Sequence, residues 1–355
     1  MQDSEKLMEI ETIHSGWIKH RTYHGWPTLL RTADNKLMAV CSGNRKMHVC
    51  PYGRVWMYIS EDEGRTWKKT RALSSGPLDD RDVGICQAAD GSLLVNYFTS
   101  ILTYFRPNRL SKEKRIRAEK ITLVTLRREH GFWMRRSTDG GVSWSPKYRT
   151  PVYSPHGPVR MKSGKLFFPG MKQGLQCSDI AGIRECGAAF SEDNGLTWQV
   201  VSTVPFPAGQ DPRQIHEPHG IEAPDGTLIV QYRNHNCSGL GETWQTESAD
   251  GGMNWSLPHY ICKGFPAHLQ IITGNRLIMS YSYRLAPFGI RARISEDSGK
   301  TWGEEIVLND DGTSWDLGYP STVEMADGSL FTLWYEKPPE GDAQLRYLNW
   351  KFKNK

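Results

Sequence analysis

One eight-residue motif occurs five times in this chain and constrains its fold more than any other feature. It reads SEDEGRTW at residues 60–67, STDGGVSW at 137–144, SEDNGLTW at 191–198, SADGGMNW at 248–255 and SEDSGKTW at 295–302. The consensus S-x-D-x-G-x-[TSN]-W gives each position a turn-making role. The Asp accepts hydrogen bonds from backbone N–H groups of its own turn, the Gly tolerates φ > 0, and the hydroxyls close the loop. The Trp then carries a large apolar surface into whatever lies beside the turn. A single copy is ordinary turn chemistry. Five copies, at intervals of 77, 54, 57 and 47 residues, specify a repeated structural unit.

A second repeat, out of phase with the first, counts the units. Turn signals followed by Leu and an apolar run occur as Asp34-Asn35-Lys36-Leu37, Asp90-Gly91-Ser92-Leu93 and Ser163-Gly164-Lys165-Leu166. They recur as Asp225-Gly226-Thr227-Leu228, Gly274-Asn275-Arg276-Leu277 and Asp327-Gly328-Ser329-Leu330. Asp-Gly between apolar strands is a strong hairpin signal. There are six such turns, and each of the first five is followed by one octapeptide. The pattern predicts six four-stranded sheets, with the hairpin joining the first two strands and the octapeptide the last two. The sixth unit has no octapeptide, and its outer strand is expected from the N-terminal segment, around residues 8–14. This is an all-β, six-bladed β-propeller, read as a single domain over 1–355.

Composition fits one large ring: 34 Gly, 20 Pro, 13 Trp and 14 Tyr, with little helical periodicity and no linker. The one irregular stretch is 104–130, which carries nine Lys/Arg and falls between the second and third strands of the second blade. It reads as a solvated excursion or as an arm that shapes a cleft or a contact. Its cations lack interleaved aromatics, so nucleic acid is not an expected partner. No 18-residue apolar run exists, so no membrane span is expected, and the first residues lack the apolar region of a signal peptide. A soluble chain follows, secreted or periplasmic where a leader preceded it and cytoplasmic otherwise. Seven Cys at irregular spacing (41, 50, 86, 177, 186, 237, 262) read as mostly free thiols, with no zinc site. No Asp/Asn-rich loop suggests calcium, and no metal or cofactor is expected.

A propeller gathers the starting ends of its innermost strands around the axis. Counting back 11 from each hairpin Leu gives Trp26, Asp82, Pro155, Glu217, Pro266 and Tyr319. Asp82, Glu217 and Tyr319 therefore share one register and should face one cavity, with His156 beside Pro155. A second set follows the second strand of each blade: Arg45, Arg233, Arg284 and Glu336. Carboxylate, phenol and guanidinium groups recurring in register across blades point to a functional site.

These residues carry a family resemblance. The octapeptides are Asp-boxes, and the chain resembles the sialidases (neuraminidases), exo-glycosidases built on six blades. Glu217-Pro-His-Gly-Ile-Glu-Ala-Pro-Asp-Gly-Thr-Leu-Ile-Val-Gln-Tyr-Arg233 is similar to the sialidase segment in which a Glu opens the fourth blade and an Arg ends its second strand. Gly318-Tyr319-Pro-Ser-Thr, followed by Asp327-Gly and Leu333-Trp-Tyr-Glu336, resembles the segment bearing the nucleophilic Tyr. Asp82 matches a substrate-pocket Asp of the family. The resemblance implies a Tyr319 nucleophile whose proton Glu217 takes, with Arg233 and Arg284 holding the substrate carboxylate. Arg291 is the alternative to Arg284. The residue types make chemical sense, because a sialic acid carries a carboxylate on its anomeric carbon. A carboxylate nucleophile would approach against like charge, whereas a phenol would not. The phenol, with a pKa near 10, needs a base, and a guanidinium binds carboxylate through two parallel bonds.

Two departures fall in the first blade. Gly25, in His24-Gly25-Trp26-Pro27, stands where the family places an Arg, so Arg45, Arg54 or Arg81 must supply that charge from another direction. The loop ahead of the first Asp-box, 45–54, carries no carboxylate, and His48 falls at the position of the family's acid Asp. A His can work as acid or base near neutral pH. Trp26 is a candidate for stacking on a sugar face. The leading expectation is an exo-acting hydrolase of a terminal acidic sugar, sialic acid by default, on an acidic glycan. A second reading keeps the pocket but changes the sugar, to a uronate-type substrate cleaved by hydrolysis or by elimination through His48 or His156. A third is a non-catalytic glycan-binding propeller.

Overall fold

The computed structural model describes residues 9–101, 120–172, 184–235 and 241–353. Its strands form six separate antiparallel sheets, the blades of a propeller. The second blade shows the plan. Asp79–Gln87 pairs with Leu93–Ser100 across the Asp90-Gly91 turn, then come Gly131–Ser137 and Tyr148–Arg149. Gly91 has φ 81°, a value that a Cβ would disfavour, and Ser92 N–H donates to Asp90 Oδ1 at 3.0 Å.

Each Asp-box turn is a closed hydrogen-bond circuit. In the first copy, Ser60 Oγ donates to Asp62 Oδ1 (2.8 Å) and accepts from Gly64 N–H (2.8 Å). Thr66 returns its N–H and hydroxyl to the two Asp62 oxygens at 2.8 and 2.6 Å. The indoles then reach back onto the preceding blade. Trp67 packs near Phe331 of the sixth blade, Trp255 Nε1 donates to Ser202 Oγ of the third, and Trp302 Nε1 donates to Gln245 Oε1 of the fourth. Antiparallel pairing puts hairpins and Asp-boxes on one face and the starts of the inner strands on the other.

The ring closes as the repeats predict. Ile10–Ile18 is the outer strand of the sixth blade, paired antiparallel with Gln344–Phe352. It runs further than the 8–14 expected from sequence, and Met8 lies outside the described residues. Inner strands of neighbouring blades share no backbone ladder, so side chains bridge them. His219 Nδ1 accepts from Leu269 N–H (2.9 Å), His268 Nδ1 from Thr322 N–H (3.3 Å), and Ser321 Oγ from Leu29 N–H (3.0 Å).

Other elements depart from expectation. The inner strand of the third blade is split into Val152–Tyr153 and Val159–Arg160, and Pro155 lies in the gap. Of the basic stretch, 102–119 lies outside the described residues. Leu123–Glu129 is a helix capped by the Thr122 side chain, with Leu126 packed on Leu78 and Ile101. Cys41, Cys50, Cys86, Cys186 and Cys262 are free, buried thiols, and Cys177 and Cys237 lie outside the described residues. Among the described residues, no helix is long and apolar enough to cross a membrane.

Candidate active site

Four blades break their inner ladder at the same place. The register slips between Gly25 and Thr28, Arg81 and Gly84, His216 and His219, and Gly318 and Ser321. The residue in each slip is left-handed: Trp26 (φ 55°), Asp82 (47°), Glu217 (52°) and Tyr319 (53°). These are the non-proline members of the register counted from sequence. Left-handed backbone costs a non-glycine residue about 1–3 kcal/mol. A bulge of this kind re-aims a side chain out of the pleat, here onto the axis, where the four blades meet.

Tyr319 and Glu217 are in direct contact, with the phenol donating to Glu217 Oε1 at 2.5 Å. Arg233 Nη1 reaches both Glu217 oxygens, at 2.9 and 2.8 Å, and lies 3.4 Å from the Tyr319 oxygen. Burial alone would raise the Glu217 carboxyl, but Arg233, joined by His216 and the Tyr319 hydrogen bond, outweighs it and holds the group at about 2. Desolvation and the Glu217 charge push the 3% exposed Tyr319 well above its ordinary value. In the free protein the proton therefore stays on the phenol.

Two further guanidinium groups surround the pair. Arg284 donates from Nε to Leu317 O (2.8 Å), leaves Nη2 buried without a protein partner, and lies 5.7 Å from the Tyr319 ring. Gly318 makes this approach possible, since a Cβ there would sit 2.9 Å from Arg284 Nη2. Arg81 lies over the Trp26 ring at 4.5 Å with no hydrogen bond from Nε, and its charge acts on Tyr319. Asp82 Oδ1 forms an ion pair with that nitrogen at 3.8 Å, too long for a hydrogen bond, and desolvation lifts its carboxyl to about 6.

His48 lies on the same aromatic wall. Its ring centroid is 4.9 Å from Trp26, which is 6.5 Å from Tyr319. Its side chain is 37% exposed. Nδ1 is 3.4 Å from Asp316 Oδ1 and 3.2 Å from the Tyr23 hydroxyl. Desolvation lowers its pKa, the Asp316 hydrogen bond opposes this, and Arg81 and Arg284 add to the lowering. The half-exposed indole of Trp315 stands 6.1 Å away at the rim.

Four expected binding residues are placed differently. Trp26 is only 1% exposed, because Arg81 and Arg45 (4.8 Å) cover its ring, so it has no free face for a sugar. Arg45 is fully buried, donating to both Asp79 oxygens at 2.5 and 2.9 Å, and to His48 O at 2.8 Å. It holds the loop rather than offering charge to a ligand. Arg291 is engaged inside the fifth blade with Glu305 (3.3 Å) and the Pro287 and Asn309 carbonyls. His156 is buried beneath Tyr319, packed against His219 and His268, with burial lowering it to about 4. The place of the first-blade Arg is filled as well. A Cβ on Gly25 would meet Tyr23 at 3.1 Å and Tyr335 at 3.5 Å.

Sequence reasoning missed Asp316, Tyr23, Tyr335 and His235, the last of which accepts from Arg233 Nε. Asp316 stands three residues ahead of Tyr319, and that proximity to a register residue was the available signal. Among the described residues, no group of three or more His, Cys, Asp or Glu forms a metal site. The hydrogen bonds to Nδ1 of His219 and His268 place their protons on Nε2, where a metal would need the lone pair. An opening of about 470 Å³ lies at the opposite, hairpin end of the axis, away from Tyr319.

Residues 114–332, more than half of the chain, match the family described as BNR repeat-like domain. A sialidase of Bacteroides fragilis is 23% identical over 339 residues, covering 87% of this chain. The chain spans 59% of that relative's length. A protein of unknown function from Dyadobacter fermentans has the same fold, with a TM-score of 0.79 and 22% identity over 97% of this chain and 99% of its own. The Hadza microbial sialidase Hz136 superposes with a TM-score of 0.67 at 17% identity, over 92% of this chain and 66% of its own.

Proposed function

The chain belongs to the BNR repeat-like domain family, and on that premise we propose that it is an exo-acting glycoside hydrolase. Its substrate is a glycan ending in a keto-acid sugar, sialic acid by preference. The observation that carries this reading is the Tyr319–Glu217–Arg233 contact, since a binding protein has no use for a base bonded to a phenol. The curated relative's name supports the same reading.

The substrate carboxylate docks on Arg233 and Arg284, with Arg81 adding charge from the second blade. In doing so it competes with Glu217 for Arg233. The cation that held Glu217 near 2 is then shared, and the carboxylate gains basicity when the anomeric carbon arrives. Tyr319 oxygen bonds to that carbon, its proton passes to Glu217, and the bond to the leaving oxygen breaks. His48, protonated, supplies the leaving oxygen with a proton. Water then attacks the glycosyl-tyrosine, giving its proton to His48, while Glu217 returns a proton to Tyr319. The mechanism retains anomeric configuration.

The test is turnover of an aryl α-sialoside by the wild-type chain and by Tyr319→Phe, with trapping of the glycosyl-tyrosine by a fluorinated sialoside. Turnover by wild type, its loss in Tyr319→Phe and a label on Tyr319 are the expected results. Saturable binding of sialic acid with no turnover of any acidic sugar glycoside would leave a lectin in place of an enzyme. The lowered His48 favours a second reading, elimination with neutral His48 as base, which would announce itself as ultraviolet absorbance from a new C=C bond.

A further inference from the structure

We propose that Asp316 is a positioning residue for His48, forming an imidazole–carboxylate pair across the junction of the first and sixth blades. The proposal rests on the reading above in one respect, that His48 is the group exchanging a proton with the leaving oxygen.

The hydrogen bonds fix the direction of each proton. Asp316 Oδ1 accepts from the Tyr23 hydroxyl at 2.8 Å and from the Tyr335 hydroxyl at 3.2 Å. Tyr23 has used its proton on Asp316, so only its lone pair faces His48 Nδ1, 3.2 Å away. Asp316 Oδ1, 3.4 Å from the same nitrogen, is also an acceptor. Both neighbours of Nδ1 therefore require Nδ1–H. The neutral ring keeps its lone pair on Nε2, which has no hydrogen-bond partner among the described residues. That nitrogen is the one free to receive or deliver a proton.

The geometry also joins the two departures of the first blade. The absence of a side chain at Gly25 admits the rings of Tyr23 and Tyr335, and these are the residues that hold Asp316 in place. A cation at position 25 would need the space of the carboxylate's two phenol donors. One substitution thus removes a guanidinium from the site, and the vacated volume houses support for a His in place of an Asp acid. Arg45, whose guanidinium donates to His48 O, fixes the loop from beneath. The charged groups acting on the imidazole are Asp316, which raises its affinity for protons, and Arg81 and Arg284, which lower it.

Ring-nitrogen NMR of the full ¹⁵N-labelled chain, with His48 assigned by comparison with His48→Gln, tests the pair without requiring a substrate. Neutral His48 should show the Nδ1–H tautomer. In Asp316→Asn its pKa should fall, because the opposing negative charge is gone, while the amide oxygen, kept in place by the Tyr23 and Tyr335 hydroxyls, should leave the ring in its Nδ1–H tautomer. Tyr335→Phe leaves the carboxylate with one donor fewer, so the His48 pKa should rise. That variant keeps the test alive where Asp316→Asn does not fold. Turnover of a poor leaving group by Asp316→Asn should drop by on the order of 10²-fold, with KM little changed and a nitrophenyl substrate hurt far less. An unmoved pKa in folded Asp316→Asn, an unmoved pKa in Tyr335→Phe, or an Nε2–H tautomer in the wild-type chain overturns the pair. Those results leave the hydrolase reading intact where the nitrophenyl sialoside still turns over. Conversely, absent turnover with the NMR shifts present removes the hydrolase and keeps the pair.

Discussion

Two layers of side chains stack on the propeller axis, two residues apart on the same inner strands, and they are built by opposite rules. The upper layer is Trp26, Asp82, Glu217 and Tyr319, all left-handed, with buried atoms on Asp82 and on nearby Arg81 and Arg284 that make no hydrogen bond. The lower layer is Thr28, Gly84, His219, His268 and Ser321. Its backbone is unstrained, and its side chains from three blades each accept a backbone N–H of the next blade. Strain is concentrated in the upper layer, whereas unmet polarity also reaches the lower one at His156 Nε2, which is packed between Tyr319 and the lower-layer histidines. Buried polar groups are normally satisfied, and the exceptions call for a ligand or a chemical role. The contrast therefore supports the proposed placement of the chemistry in the upper layer, without reference to any relative.

If the layers are separable, activity and stability should respond to different substitutions. The largest expected effect is Tyr319→Phe, which should lower turnover of an aryl sialoside by on the order of 10²–10⁴-fold with the thermal midpoint unchanged. Next is acid lability of the lower layer. His219 and His268 stay neutral because desolvation lowers both far below 6.5, while the unfolded chain protonates near that value. Stability is thus fully present above pH 6.5 and lost as pH falls below it, by about 1.4 kcal/mol per pH unit for each His. Thermal midpoints between pH 7 and 5 should fall steeply, and less so in the His219→Gln, His268→Gln variant, whose amides do not titrate.

A third expectation is His219→Ala, which strands the buried Leu269 N–H and should cost about 1–3 kcal/mol in urea unfolding, with kcat at 25 °C nearly intact. Loss of activity there without loss of stability would mean that the layers are one unit. The smallest effect is Asp82→Asn. Asp82 is lifted to about 6, so its contribution to stability is present below the unfolded value near 4 and lost as pH rises through 6. Removing the carboxyl should raise stability at pH 7 and flatten the pH dependence across that range, read from urea unfolding at pH 4 and pH 7.

The separation also bears on working pH. His48 must be protonated to act as an acid, which its lowered pKa allows only below the usual histidine range. His219 and His268 must remain neutral for the ring to hold. Turnover of poor leaving groups should therefore rise as pH falls, until either the loss of the neutral His48 that receives water's proton or the loss of the fold sets the acid limb.

How much of this was written in the chain differs between the layers and the wall beside them. The blade count, the closing strand and the upper-layer register came from local turn chemistry that repeats, so counting from each hairpin Leu found Asp82, Glu217 and Tyr319. The same counting found Trp26 but misjudged its role. What covers Trp26 is Arg81 from the next blade and Arg45 from its own, and side-chain direction does not follow from register. Asp316 was missed because its partner His48 is 268 residues away, joined only by ring closure. Arg291 and Arg45 look like ligand arginines in sequence, and only packing shows that Glu305 and Asp79 already hold them.

The strand Ile10–Ile18 has a mechanical consequence. Ile10 lies opposite Phe352, and Lys353 N–H donates to Glu9 O, so the first and last described residues lie side by side at the rim of the sixth blade. Tension applied between them would load the ladder one rung at a time, and the sixth blade should open like a zipper at low force. By the same adjacency, a short linker could join the ends and the chain be reopened at another surface turn. Such a circular permutant should trade the zipper for a continuous hairpin and gain resistance to pulling, with the axis and its two layers untouched.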